Sequence, residues 1–257
     1  MDFSLSSERQ ILFDTLMKYI MNEYSLDDRN EAALSDLGFS KDRWESIRAL
    51  GVFEALLKPE HGGFGGAAID ITTVFEALGS GLVIEPILNS ALICSIILSH
   101  GSEQHKLIAE DILNGKARPI FGHFEDFDQY ELASIHSKVS ETNTHFIVNG
   151  TKSSIKHLVG ASHFIFSART SGESTDLNGI TLFIIPLETD GLTIDTFESI
   201  DGGRVSDLKL TNVKIEKDAL IGPKDGAISI LSEVVDIGTL AFCAEALGIM
   251  EKIKEIT

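Results

Sequence analysis

The stretch from His145 to Thr170 constrains the fold most, because it reads as three consecutive strands. Phe146, Ile147 and Val148 lead into Asn149-Gly150, a pair suited to the positive-φ positions of a tight hairpin turn. The chain continues extended through Ile155 and Leu158, turns at Gly160-Ala161 and returns through Phe164, Ile165 and Phe166. In all, strand signals lie at 119–124, 133–139, 145–148, 151–159, 163–168, 179–185, 192–196 and 205–215. Clusters such as Asp201-Gly202-Gly203 separate them. Short strands at this spacing predict an antiparallel β-barrel or sandwich, the middle domain, over residues 116–222.

The flanks have a different period. Residues 5–22 place Ile11, Leu12, Leu16 and Ile20 on one helical face, behind a capping box read as Ser7 with Gln10. Further helices are expected at 41–50, 69–79, 85–100 and 103–113, so residues 1–115 predict an all-helical N-terminal domain. The glycine-rich loop from Lys58 to Gly66 lacks the G-x-x-x-x-G-K-[ST] pattern and follows no clear strand. A structural turn is therefore preferred to a phosphate cradle. From Asp225 one helix is predicted to run to the end, with apolar residues on nearly every face. Such a helix needs other structure around it. Residues 223–257 thus read as the first helix of a truncated C-terminal helical domain, and the whole as an α+β multidomain chain.

Charge and composition exclude several functions. The 257 residues carry 21 Lys and Arg against 39 Asp and Glu, a net charge of −18. That surface repels a phosphate backbone, so nucleic acid is not an expected partner. A polyanionic small ligand would need a local basic patch or backbone N–H donors. No apolar run is long enough for a membrane span, and the first residues lack a basic-then-apolar leader. Cys94 and Cys243 read as free thiols, and a cytoplasmic location is expected. The G-x-S-x-G, C-x-x-C and H-E-x-x-H patterns are absent, and His100 and His105 have the wrong spacing for one metal-binding face.

Particular residues nonetheless carry a likeness. Pro59-Glu60-His61-Gly62-Gly63-Phe64-Gly65, Asn149-Gly150-Thr151-Lys152 and Ser167-Ala168-Arg169-Thr170 occur in that order. So does Cys243-Ala244-Glu245-Ala246-Leu247-Gly248 on the long helix. The set resembles the acyl-CoA dehydrogenase family, and within it the small-subunit type of pimeloyl-CoA dehydrogenase. The resemblance implies FAD as cofactor and α,β-dehydrogenation of an acyl-CoA thioester. In that family a glutamate removes the α proton while a hydride leaves the β carbon for the flavin. By resemblance, His123, Phe124 and Glu125 line the flavin, and Ser154, Ile155 and Lys156 face its ring where many relatives have Trp-x-Thr. Tyr130 and Asp236 are implied at the substrate.

No catalytic residue is assigned. Alignment on Gly248 puts Gly238 where some relatives carry their glutamate on the long helix, and Thr239 where an arginine is common. Glu233 and Glu245 are available carboxylates, with Glu245 read as a hydrogen-bonded structural residue in preference to a base. A subunit completed by a partner, as a homo- or hetero-oligomer through helix 225–257, is expected. A non-catalytic structural subunit of a heteromer is the alternative, and a fragment without stable function is a third reading.

Overall fold

A computed structural model describes residues 5–126 and 130–257. Helices α1 (Ser7–Glu23), α2 (Leu26–Leu34), α3 (Lys41–Ala49), α4 (Val52–Ala55) and α5 (Ala68–Ser80) come first. A π-helical segment, Ile87–Cys94, then runs into α6 (Ser95–Ser99), and α7 (Glu103–Leu113) follows. The strands are β1 (Ile120–Gly122), β2 (Lys138–Glu141), β3 (His145–Lys156), β4 (His163–Arg169) and β5 (Ile180–Pro186). They continue with β6 (Leu192–Glu198), β7 (Arg204–Glu216) and β8 (Leu220–Ile221). Helix α8 (Ile228–Ile256) ends the chain.

The strands form one mixed sheet in the order β6-β7-β3-β2-β4-β5-β8, with β1 beside β4. Most pairs are antiparallel, but β1 runs parallel to β4, and β2 touches β4 in parallel at one position. β4 and β5 are buried on both faces, which is why each holds an apolar run, Phe164 to Phe166 and Leu182 to Ile185. Ile165, Leu182 and Ile184 join the core shared with the helices. Phe164, Phe166, Phe183 and Ile185 join a second core on the other face. The first core also contains Leu16, Ile93 and Leu231, so it crosses both of the boundaries expected near residues 115 and 222.

The sheet corrects one expectation. Asn149-Gly150 makes no hairpin: β3 passes straight through it and pairs with β7 on both sides, with a register shift between Val148 and Gly150. Neither residue has positive φ. The Asn149 side chain instead exchanges two hydrogen bonds with Asn212 on β7, at 3.1 and 2.8 Å. Gly150 is required by proximity, since a Cβ there would lie 2.1 Å from Ser137 Oγ.

The helical expectations differ in detail. α1 is capped by Ser6, whose hydroxyl accepts from Arg9 N–H at 3.4 Å, so the capping residue is one earlier than expected. α2 and α4 were not expected: α2 is largely polar and shows no apolar period, and α4 is a single turn. In the Lys58–Gly66 loop the N–H groups of residues 61 to 66 all donate to carbonyls of residues 54 to 59, so none is left to cradle a phosphate.

α8 packs one face on α5, burying Leu231, Val234, Gly238, Ala241, Ala244 and Gly248. The contact is main chain on main chain. A Cβ on Gly79 would lie 2.1 Å from Glu245 O, and one on Gly248 would lie 1.9 Å from Glu76 O. Small residues allow helices to approach this closely. The opposite face stays open, leaving Val235, Phe242, Met250, Ile253 and Ile256 exposed. The expectation of a helix surrounded by other structure is therefore met on one side. Gly248→Val is expected to cost about 1–3 kcal/mol through overpacking, measured by thermal or urea denaturation. Ala246→Val, on the exposed side of the same helix, is expected to stay within about 0.5 kcal/mol of wild type.

Candidate functional site

A cleft of about 740 Å³ opens between the sheet and the helices. Its sheet side is the end of β1 with His123 and Phe124, and the last part of β3 from Ser153 to His157. Its helical side is the π-helical segment, through Leu88, Asn89 and Ile93, and α8, through Val234, Phe242 and Glu245.

The β3 wall is shaped by a bulge. Between Lys152 and Ile155 the pairing with β7 gains one residue. Ser154 takes φ 57, and its N–H donates to Asp207 Oδ1 at 3.0 Å. Ser153 N–H donates to Phe124 O at 2.9 Å, tying this wall to the segment after β1. The bulge returns Ile155 to the interior and leaves Ser154 and Lys156 exposed. Lys156 reaches Asp201 at 2.7 Å at the cleft mouth. Both side chains are more than half exposed, so this pair contributes little stability.

Behind the wall lies a buried polar cluster. Lys152 Nζ donates to His123 O at 2.9 Å, Glu125 Oε1 at 2.8 Å and Ser167 Oγ at 3.2 Å. Glu125 also accepts the N–H groups of His136, at 2.7 Å, and Ser137, at 3.1 Å. Burial opposes both charges. It lowers Lys152 to about 8, against the pull of Glu125. Glu125 is nevertheless held below the usual carboxylate range, because the Lys152 charge and these hydrogen bonds outweigh its own desolvation.

His123 follows from its partners. Nε2 lies 3.0 Å from Leu132 O, which only accepts, so Nε2 carries the hydrogen. Nδ1 then accepts from Ser167 Oγ at 2.8 Å. The ring is neutral, and burial with the nearby Lys152 charge lowers its pKa to about 3.

Asn89 forms the remaining join. Its side chain accepts from Phe121 N–H at 2.8 Å and donates to Phe121 O at 3.0 Å, satisfying the strand edge that β1 turns toward the helices. A π-helical stretch, a form that recurs at functional sites, carries this residue.

His123, Phe124, Ser154, Ile155 and Lys156 all line the cleft. Glu125 does not: it is 2% exposed and bound to Lys152 behind the wall. Tyr130 is fully solvent-exposed and outside the cleft lining. Asp236 is exposed on α8 and also outside it. It stands two residues from Gly238, about 200° around a helix that turns 3.6 residues per revolution. Sequence reasoning missed Asn89 and the Lys152 pair. An Asn in an apolar run was the available signal for the first. Glu245 lines the cleft, and no hydrogen bond holds it among the described residues, unlike the structural role expected for it.

A family model for the acyl-CoA dehydrogenase N-terminal domain matches residues 6–110. The short-chain specific acyl-CoA dehydrogenase of Clostridium acetobutylicum is 23% identical over 263 residues, covering 98% of this chain and 67% of that protein. The chain is similar to the acyl-CoA dehydrogenase family, most directly over residues 6–110. The fold agrees with that of butyryl-CoA dehydrogenase from Megasphaera elsdenii, at TM-score 0.85 and 21% identity over 98% of this chain and 68% of that one. It agrees also with the ChsE4-ChsE5 complex from Mycobacterium tuberculosis, at TM-score 0.83 and 18% identity over 98% of this chain and 66% of that one. The first three curated relatives are matched over only 36%, 41% and 58% of their own length. Among the described residues, no helix is long and apolar enough to cross a membrane.

Two outcomes test the cluster. His123 is held neutral in the fold at about 3, while a free imidazole titrates near 6.5. Below about pH 6.5 the unfolded chain takes up a proton that the folded chain refuses, so the stability owed to His123 falls as pH drops toward 3. His123→Gln is expected to flatten that slope, by up to about 1.4 kcal/mol per pH unit in the steep part, in urea denaturation between pH 7 and 5. Lys152→Met is expected to cost about 3–5 kcal/mol by stranding Glu125, with much of the loss recovered in the double variant Lys152→Met/Glu125→Gln.

Proposed function

We propose that the cleft is where FAD and an acyl-CoA thioester meet, and that the chain serves α,β-dehydrogenation of the acyl group. The cleft itself carries the reading. Its 740 Å³ fall within the range of cofactor and small-molecule sites. Its helical side is largely apolar, and its sheet side carries polar groups.

The residues suit a flavin. Phe124 is 47% exposed beside the wall, and Ser153 Oγ is buried there with no hydrogen-bond partner among the described residues. Phe124, Ser154, Ile155 and Lys156 would hold the ring, and His123 would fix the wall behind it. When bound, FAD supplies the acceptor for the hydride. The chain's own part is to bind and to exclude water. Leu88, Ile93, Val234 and Phe242 offer the apolar surface an acyl chain requires. Lys156 at the mouth is a cation within reach of an anionic ligand, which a surface of net charge −18 otherwise repels. No residue is assigned as the base for the α proton.

The exposed apolar face of α8 supports assembly through residues 225–257, as a homo- or hetero-oligomer. The three-part division at 1–115, 116–222 and 223–257 belongs to the same proposal, as does a reducing, cytoplasmic setting, supported by free Cys94 and Cys243. Two observations favour a second reading, a non-catalytic structural subunit. Lys156 is engaged with Asp201 on the strand that would face the flavin, and Asp236 lies outside the cleft.

The visible spectrum of the purified protein, with FAD added if it is colourless, decides between them. Bound flavin that bleaches anaerobically with an acyl-CoA is the expected result for the dehydrogenase. Bound flavin that does not bleach favours a cofactor site completed by a partner. A chain that never takes up flavin loses the first reading and keeps the second.

A further inference from the structure

We propose that Glu245 is the specificity-determining hydrogen-bond acceptor of the cleft, and that the cleft prefers an acyl chain carrying a hydrogen-bond donor, such as a hydroxyl, over a plain alkyl chain. The inference rests on the reading of the cleft as acyl-binding.

Glu245 lies in the stripe that α8 turns to the cleft. Gly238, Phe242, Glu245 and Ile249 recur at three- and four-residue spacing and all line it. One carboxylate thus interrupts an otherwise apolar stripe. It is only partly exposed, and burial pushes its carboxyl up, opposed only by the distant attraction of Lys156. Its backbone cannot move to release it, because Glu245 O is pressed against Gly79 on α5.

The other charged groups of the cleft are engaged. Glu85 accepts from Tyr24 Oη at 2.8 Å and Ser40 N–H at 3.3 Å. Asp201 holds Lys156, and Arg29 donates to Leu82 O and Asp201 O. Arg204 donates to Leu34 O and pairs with Glu198. Among the described lining residues, Glu245 is the carboxylate left without a hydrogen bond or ion pair.

The consequence for ligands is asymmetric. A plain alkyl chain displaces the water that solvates Glu245 and leaves the carboxylate stranded, whereas a chain bearing a donor replaces that water with a direct hydrogen bond. Sites built around a buried polar group reject the analogue that lacks its counterpart.

Calorimetric titration of wild type, Glu245→Gln and Glu245→Leu with octanoyl-CoA and with octanoyl-CoA hydroxylated at carbons 4 to 8 tests this. In wild type at least one isomer is expected to bind about 10-fold or more tightly than octanoyl-CoA. Glu245→Gln, which keeps an acceptor oxygen, retains a preference. Glu245→Leu loses it and binds octanoyl-CoA more tightly than wild type does. A second pair, 1-octanol and octyl methyl ether, carries no CoA. If no thioester binds but 1-octanol is preferred in a Glu245-dependent way, the acyl-CoA reading fails and the role of Glu245 stands. If neither pair is discriminated, or if the preference survives in Glu245→Leu, the inference is overturned.

Discussion

The candidate site depends on one buried ion pair. Lys152 and Glu125 lie inside the sheet, and burying two charges is costly unless the geometry satisfies both. Here it does, because Lys152 spends its three hydrogens on Glu125, His123 O and Ser167, while Glu125 collects two N–H groups from residues 136 and 137. The pair therefore ties two segments outside the ladders, the one after β1 and the one before β2, to β3 and β4. The cleft wall is the outer surface of that junction. Its histidine is held neutral by the same arrangement, through burial and the nearby Lys152 charge.

Much of this was legible in the residues, for physical reasons that differ from place to place. β4 and β5 carry the apolar runs Phe164-Ile165-Phe166 and Leu182-Phe183-Ile184-Ile185 because both faces are covered, and such runs allow few alternatives. The long helix was legible from its length. Asn149-Gly150 misled because the same dipeptide suits a tight turn and a crowded strand, and only the position of Ser137 distinguishes them. α2 was invisible because nine largely polar residues display no period. Within the site, contiguous residues such as Ser154, Ile155 and Lys156 were found together because a strand keeps neighbours together. Glu125 lies beyond the end of β1, where no strand alternation shows which way a side chain turns, and its carboxylate is bound to Lys152 behind the wall. Asn89 and Lys152 act through partners distant in sequence, and no local pattern encodes that.

Solved structures, butyryl-CoA dehydrogenase among them, share this chain's fold at about 20% identity. At that distance the scaffold is common and the lining of the cleft is individual. The conserved-looking order of loop, strand and helix motifs identifies the framework, whereas Lys156, Phe242 and Glu245 give this cleft its own chemistry.

The glycine contact between α5 and α8 bears on how such a cleft can change. Gly79 and Gly248 bring the two helices together backbone against backbone, so no side chain sets the spacing between them. The width of the cleft is then a property of the main chain, and its selectivity a property of the residues that α8 presents to it. The two can drift independently. A lineage can exchange Phe242, Glu245 or Ile249 and sample new ligands without disturbing the hinge line on which the helix rests.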